Sequence, residues 1–188
     1  MGNEANQDRE GLLKQIRDVC GKVIYTYTTH LKQAQIIRTI NHLFQWILIV
    51  CSACSTAGIF GVIFSESAKG LAIATACLTA VSLAITLYTK GAKLGELNEQ
   101  HKSVANNLWK IRESYVSLLT DFDTLSVEEI RAKRDDLQAQ TAAIYENAPQ
   151  TSRTAYKQAQ KALKVQEEQF FSAEELDGIL PDNLRTTK

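Results

Sequence analysis

The chain has 188 residues, with 21 basic and 21 acidic side chains and a mean hydropathy of −0.17. Balanced charge and the lack of any basic stripe give no field for a polyanion, so no nucleic acid partner is expected. The near-neutral hydropathy averages a very apolar middle and two polar flanks, so the chain has to be read by segment.

The first segment, residues 7–41, contains no Pro and only Gly11 and Gly21. Ile16, Cys20, Val23, Tyr27, His30, Ala34 and Ile37 recur at alternating steps of four and three, the seam of a coiled coil. A charged helical stretch of this length before any apolar run argues against a cleaved signal peptide. The opening Met-Gly-Asn-Glu-Ala-Asn lacks the hydroxyl residue of a myristoylation signal.

Two runs, residues 43–64 and 70–89, then contain no Asp, Glu, Lys, Arg or His. At ~1.5 Å per residue each spans about 30 Å, the thickness of a bilayer's hydrocarbon core. The five residues between them, Ser65-Glu66-Ser67-Ala68-Lys69, suit a tight polar turn, which predicts a transmembrane hairpin. Lys32 and Arg38 precede the first span and Lys90 and Lys93 follow the second, while the loop is nearly neutral. The positive-inside bias therefore places both termini in the cytoplasm. The cysteines, Cys20, Cys51, Cys54 and Cys77, fall on the first helix or within the spans, where they are expected to stay reduced and pack as small apolar groups.

Wound at 100° per residue, the second span gathers Thr75, Thr79, Ser82 and Thr86 within an arc of about 60°. Ala72, Ala76, Ala80 and Ala84 form a neighbouring small ridge, and Leu71, Leu78, Val81, Ile85 and Tyr88 take the side expected to face lipid. The first span has its own small ridge, Ala53, Ala57 and Gly61, and a polar side with Gln45, Ser52 and Thr56. Small ridges let membrane helices approach closely, within one chain or between copies. The hydroxyls have two readings. They are the wet wall of a pore assembled from several hairpins, with Gln45, Ser52 and Thr56 as a second wall, or each bonds the carbonyl one turn back and only packs.

After the second span the coiled-coil rhythm returns in Leu94, Leu97, His101, Val104, Leu108, Ile111, Tyr115 and Leu118. Nothing in either segment breaks a helix between seam and span, which predicts a long antiparallel hairpin with a cytoplasmic stalk. If residues 43 and 90 share a membrane face, paired positions sum to about 133, as a crude register. His30 and His101 then meet as a polar layer, read either as a pH-sensitive or metal-binding pair or as a register-setting hydrogen bond. Two histidines fall short of the three or four ligands of a usual metal site, and no metal is expected.

Beyond Asp123, Ser126 and Glu129 form a capping box ahead of a helix to about Tyr145. Pro149 breaks the chain, a further helix is predicted over residues 151–169, and Ser172 with Glu175 opens a short helix that Pro181 closes. These polar helices are expected to fold back through Leu137, Ile144, Tyr156, Ala159 and Leu163. The organisation is thus an all-α membrane protein with an N-terminal helix (1–42), a transmembrane hairpin (43–89) and a helical C-terminal region (90–188). It has no phosphate loop, ligand cluster or nucleophile elbow, so no catalytic residue, cofactor or enzymatic activity is expected.

The order of elements, with Ile144-Tyr-Glu-Asn-Ala-Pro149, Thr154-Ala-Tyr156 with Ala159, Phe171-Ser-Ala-Glu-Glu-Leu-Asp177 and Leu180-Pro-Asp-Asn-Leu-Arg185, resembles the SLATT family of bacterial two-transmembrane effectors. The resemblance covers residues 12–185. It implies a membrane-perforating effector of phage-defence and related conflict systems, in the bacterial inner membrane, self-assembling and triggered by a sensor or nucleotide-signalling protein. No sensor domain is recognisable here, so the trigger is expected from a separate partner or from a ligand at the tail. The competing readings are a non-catalytic anchor whose stalk recruits cytoplasmic proteins and, with no acid–base set to support it, a membrane enzyme subunit.

Overall fold

The computed structural model describes residues 2–63 and 69–186, with side chains from Gln7 onward. The polar turn at residues 65–68, with Glu66, and the end of the first span at Phe64 lie outside the described residues. So does the tail's last pair at 187–188. The described residues are all-helical. The helices are α1 (Gly2–Ile63), α2 (Lys69–Ala92), α3 (Leu94–Thr120), α4 (Val127–Glu146), α5 (Arg153–Lys164) and α6 (Ala173–Ile179), and a 3₁₀ turn at Asp182–Leu184 comes last.

The single helix α1 covers 62 residues, about 93 Å at 1.5 Å per residue. It crosses the boundary at residue 42 without a break. α2 and α3 return antiparallel along it, and one register holds throughout. Phe44 meets Tyr88, Ala34 accepts from Asn98, His30 meets His101 and Arg9 reaches Phe122. The paired numbers add to 131 or 132 from the membrane to the far end of the stalk.

The burial pattern explains this uniformity. Along α1 the inward positions Ile16, Cys20, Val23, Tyr27, His30, Ala34 and Ile37 continue as Asn41, Phe44, Leu48, Cys51, Ser55 and Gly58, all buried or half-buried. That is an uninterrupted alternation of fours and threes running from the stalk into the bilayer, as a left-handed coiled coil requires. On the returning strand, Thr75, Leu78, Ser82, Ile85 and Thr89 keep the same alternation, and so does the set from Leu94 to Leu118. The two sets are five residues apart, out of phase for a coiled coil.

The continuous helix expected across this point is therefore corrected. Lys93 adopts a left-handed φ of 46° and separates α2 from α3. A non-glycine residue there costs on the order of 1 kcal/mol, offset by keeping both seams turned inward.

The core lies at the far end of the stalk. Leu12, Ile16, Cys20 and Val23 pack with Val104, Leu108, Ile111, Tyr115 and Leu118, closed by Phe122, Ile130 and Leu137. Each fully buried Leu or Ile contributes roughly 1.5–3 kcal/mol. Arg9 stacks over Phe122 at 5.0 Å and donates to the carbonyls of Phe122 and, at 3.0 Å, Leu125. A cation there satisfies carbonyls of the turn between α3 and α4. The predicted capping box starts α4, with Glu129 N donating to Ser126 Oγ at 3.2 Å and Ser126 N to Glu129 Oε2 at 2.8 Å. Those bonds hold the Glu129 carboxyl below its usual range.

α5 lies on α1. Its alanine face, Ala155, Ala159 and Ala162, is fully buried, and Tyr156 stacks on Tyr25 at 5.1 Å. Ser152 N donates to Gln33 Oε1 at 2.9 Å, and Lys32 donates to both Glu168 oxygens at 2.9 and 2.7 Å. The helix predicted to residue 169 ends instead at Lys164. Glu167 turns left-handed at φ 50°, Glu168 N donates to Ala162 O at 3.1 Å, and the turn brings Glu168 onto Lys32. Local propensity extends this helix, and a tertiary ion pair ends it. α6 buries none of its residues.

Candidate functional site

The surface of the hairpin is inverted relative to a soluble protein. Leu43, Trp46, Ile49, Val50, Ile59, Phe60 and Ile63 on α1, and Ile73, Val81, Leu83 and Leu87 on α2, are all at least half exposed. Both helices are long and apolar enough to cross a membrane, and lipid is the solvent in which such a surface is stable. Trp46 and Tyr88 are exposed close to the stalk, where amphipathic rings mark a bilayer boundary, and Phe44 meets Tyr88 edge-on at 5.7 Å.

Within the hairpin α1 and α2 approach tightly at Gly58. A Cβ added there would run into Thr75 Oγ1, and one added at Gly61 would come within 2.7 Å of Leu71 Cδ2. Glycine at 58 makes room for the Thr75 side chain against the α1 backbone, whereas at Gly61 the nearest atom is the end of the flexible Leu71 side chain. Sequence reasoning misses Gly58 because a ridge traced at spacing four from Ala53 steps over it. The Gly58-x-x-Gly61 spacing of three is the signal that points to it. Ser55, also outside that ridge, lies in the same interface with its hydroxyl buried and unpartnered among the described residues.

The sequence-selected residues divide around this contact. Gly61 lies in it, whereas Ala53, Ala57, Ala72, Ala76, Ala80 and Ala84 are exposed on the outside of the hairpin. The side expected to face lipid is corrected in part. Leu71 packs at Gly61, and Leu78 and Ile85 are half-covered because they sit on the seam toward α1.

Of the hydroxyl line, Thr75 is buried, Ser82 and Thr86 are half-buried and Thr79 is exposed. Each donates to the carbonyl four residues back, Leu71, Thr75, Leu78 and Ser82 for Thr75, Thr79, Ser82 and Thr86 in turn, at 2.8–2.9 Å. Thr56 does the same to Ser52, and Gln45, Ser52 and Thr56 are all exposed. Thr75 and Thr79 open, with Ala72, Ala76 and Ala80, into a groove of about 570 Å³ walled by Ile59 and Ile63 of α1. A hydroxyl that donates to its own backbone is satisfied in lipid, yet its oxygen keeps lone pairs that can accept a hydrogen bond or face a cation. Cys51 is buried, Cys54 and Cys77 are exposed, and all three are free thiols.

In the stalk the structure brings His30 and His101 together, Nδ1 to Nδ1 at 2.9 Å, with ring centroids 5.1 Å apart. One ring must carry its proton on Nδ1 and the other must accept there, so one proton is shared. Thr28, Thr29 and His30 are buried in succession because α3 and α5 enclose this turn of α1. Burial, and then the neighbouring His101, push the His30 pKa down to about 4, and burial lowers that of His101. No group of three or more metal-ligating side chains occurs among the described residues.

Comparison with protein families matches residues 12–175 to the SMODS and SLOG-associating 2TM effector domain family 4, abbreviated SLATT. No curated protein and no solved structure matches the chain.

Proposed function

The chain belongs to that SLATT family of membrane effectors of conflict systems, and from this premise we propose that its hairpins assemble into a pore that breaches the bacterial inner membrane. The observation carrying the reading is the line of hydroxyls at Thr75, Thr79, Ser82 and Thr86 in an otherwise apolar span. Two helices cannot enclose a lumen, so the wall forms only when several copies associate. The outward ridge of Ala72, Ala76, Ala80 and Ala84 is the kind of surface on which a neighbouring helix packs. Hydroxyl oxygens replace part of an ion's hydration without the cost of a bare charge in lipid. Gln45, Ser52 and Thr56 form the second wall. Both termini lie in the cytoplasm, and a separate sensor or nucleotide-signalling protein supplies the trigger.

Replacing Thr79 by Val and Ser82 by Ala removes both hydroxyls with no added bulk and dries the wall. Ion or dye release from liposomes carrying this variant is expected to fall at least tenfold, with insertion unchanged. Undiminished release would sink the assignment. Absence of release by the unmodified chain would favour the second reading, a non-catalytic anchor, which is supported by the self-satisfied hydroxyls and the burial of Thr75 within one hairpin.

A further inference from the structure

Where the stalk enters the membrane, α1 and the first turns of α3 border an open polar pocket of about 360 Å³ that the pore reading does not use. Arg38, on its wall, precedes Leu43 by five residues, about 7.5 Å of helix, which is headgroup depth if the hydrocarbon begins at Leu43. The only polar contact of the Arg38 guanidinium among the described residues is a long one, Nε to His42 Nε2 at 3.5 Å. Among the described residues its terminal nitrogens have no partner, and neither does the Asn41 amide beside it. On the opposite wall the break at Lys93 starts α3 afresh, with Gly95 in its first turn. A Cβ at Gly95 would touch nothing within 4 Å, so no side chain narrows the groove there. Glu99 also lines the pocket, but Lys102 holds its carboxylate at 2.8 Å and neutralises it. Asn98 contributes a buried amide already anchored to Ala34 O at 2.6 Å.

We propose that this pocket binds the phosphodiester of an anionic phospholipid from the leaflet on the stalk side, gripped by the Arg38 fork with Asn41 as a second donor. The inference rests on the membrane reading of the hairpin. The pocket carries one net positive charge, from Arg38, matching the single negative charge of a phosphodiester, and a guanidinium matches two non-bridging oxygens bidentately.

The test uses the full chain in neutral detergent, titrated with phosphatidylglycerol, with phosphatidylcholine and with soluble sn-glycerol 3-phosphate, and bound lipid is read by native mass spectrometry. Phosphatidylglycerol is expected to bind at least tenfold more tightly than either of the others. Arg38→Gln is expected to weaken it about tenfold and Arg38→Lys to recover only part, since an ammonium keeps the charge and loses the fork. Lys90→Gln removes a cation about one helical turn nearer the hydrocarbon and outside the pocket, and is expected to change affinity less than twofold. Equal losses for Arg38→Gln and Lys90→Gln would reduce the effect to diffuse surface charge and overturn the site. Equal binding of glycerol phosphate would make it a soluble-anion site instead. Liposome release by the same variants is scored separately. Loss of lipid binding with release intact overturns only this site, and a protein that stays in solution without detergent overturns the membrane reading beneath it.

Discussion

At His30 the consequences of one buried contact can be worked through with sign. Its folded pKa of about 4 lies below the ordinary 6.5 because burial and His101 disfavour the cation. The unfolded chain therefore binds more protons between these values, and stability falls as pH drops from about 6.5 toward 4, while above about pH 7 the contribution is complete. The neighbouring charges are already paired, Lys32 with Glu168 and Lys102 with Glu99, so none is free to compensate a second cation. The predicted loss is on the order of 3 kcal/mol. Thermal melts from pH 8 to 4 should show this slope in the native chain and lose most of it in His30→Gln; an unchanged slope would remove the pair from the account. Gly58 is the second decisive residue. Gly58→Ala forces α1 from Thr75 and is expected to lower thermal stability in detergent, whereas Gly21→Ala, into open space on an exposed helix face, should raise it by about 0.5–1 kcal/mol. Equal effects would mean that the close approach does not hold the hairpin.

Among the elements, the two capping boxes share one sequence pattern and one geometry but open helices of unlike burial. α4 buries Ile130, Leu137 and Thr141 against the stalk, and α6 buries nothing. Ser126→Ala is therefore expected to cost about 1 kcal/mol of stalk stability and Ser172→Ala to leave the stalk melt unchanged. A matching loss from both would show α6 to be part of the cooperative unit. The same distinction explains how much of α5 the sequence could reveal. Its start at Ser152 comes from local capping chemistry, with Ala155 N donating to Ser152 Oγ at 3.2 Å. Its end at Lys164 depends on Lys32, more than a hundred residues away, and no local signal announces that.

For the molecule as a whole, one inward seam runs along α1 from Leu12 to Gly58, so stalk and membrane hairpin share one continuous helix. A disturbance of the stalk, as a sensor would produce, reaches the spans through packed side chains without a hinge on α1. The break at Lys93 is confined to the returning strand. Topology is tested at this scale. Cysteine placed at Ser67 should be labelled by an impermeant reagent in intact cells and cysteine at Ser152 protected. Labelling at Ser152 would reverse the cytoplasmic assignment.

Sequence by itself determined the helical class, the two spans, the antiparallel stalk and the meeting of His30 with His101. These come from local periodicity and from the length of uncharged runs, and a helix repeats its geometry every turn regardless of its neighbours. Tertiary structure decided the rest. The five-residue step between Thr89 and Leu94 becomes a break at Lys93 only because α1 offers one face to both seams. Gly58, rather than the alanine ridges, receives the Thr75 side chain, because the seam brings the two opposite each other and leaves the alanines exposed. Which side of a helix is inside depends on the partner, and the partner is specified by the whole chain.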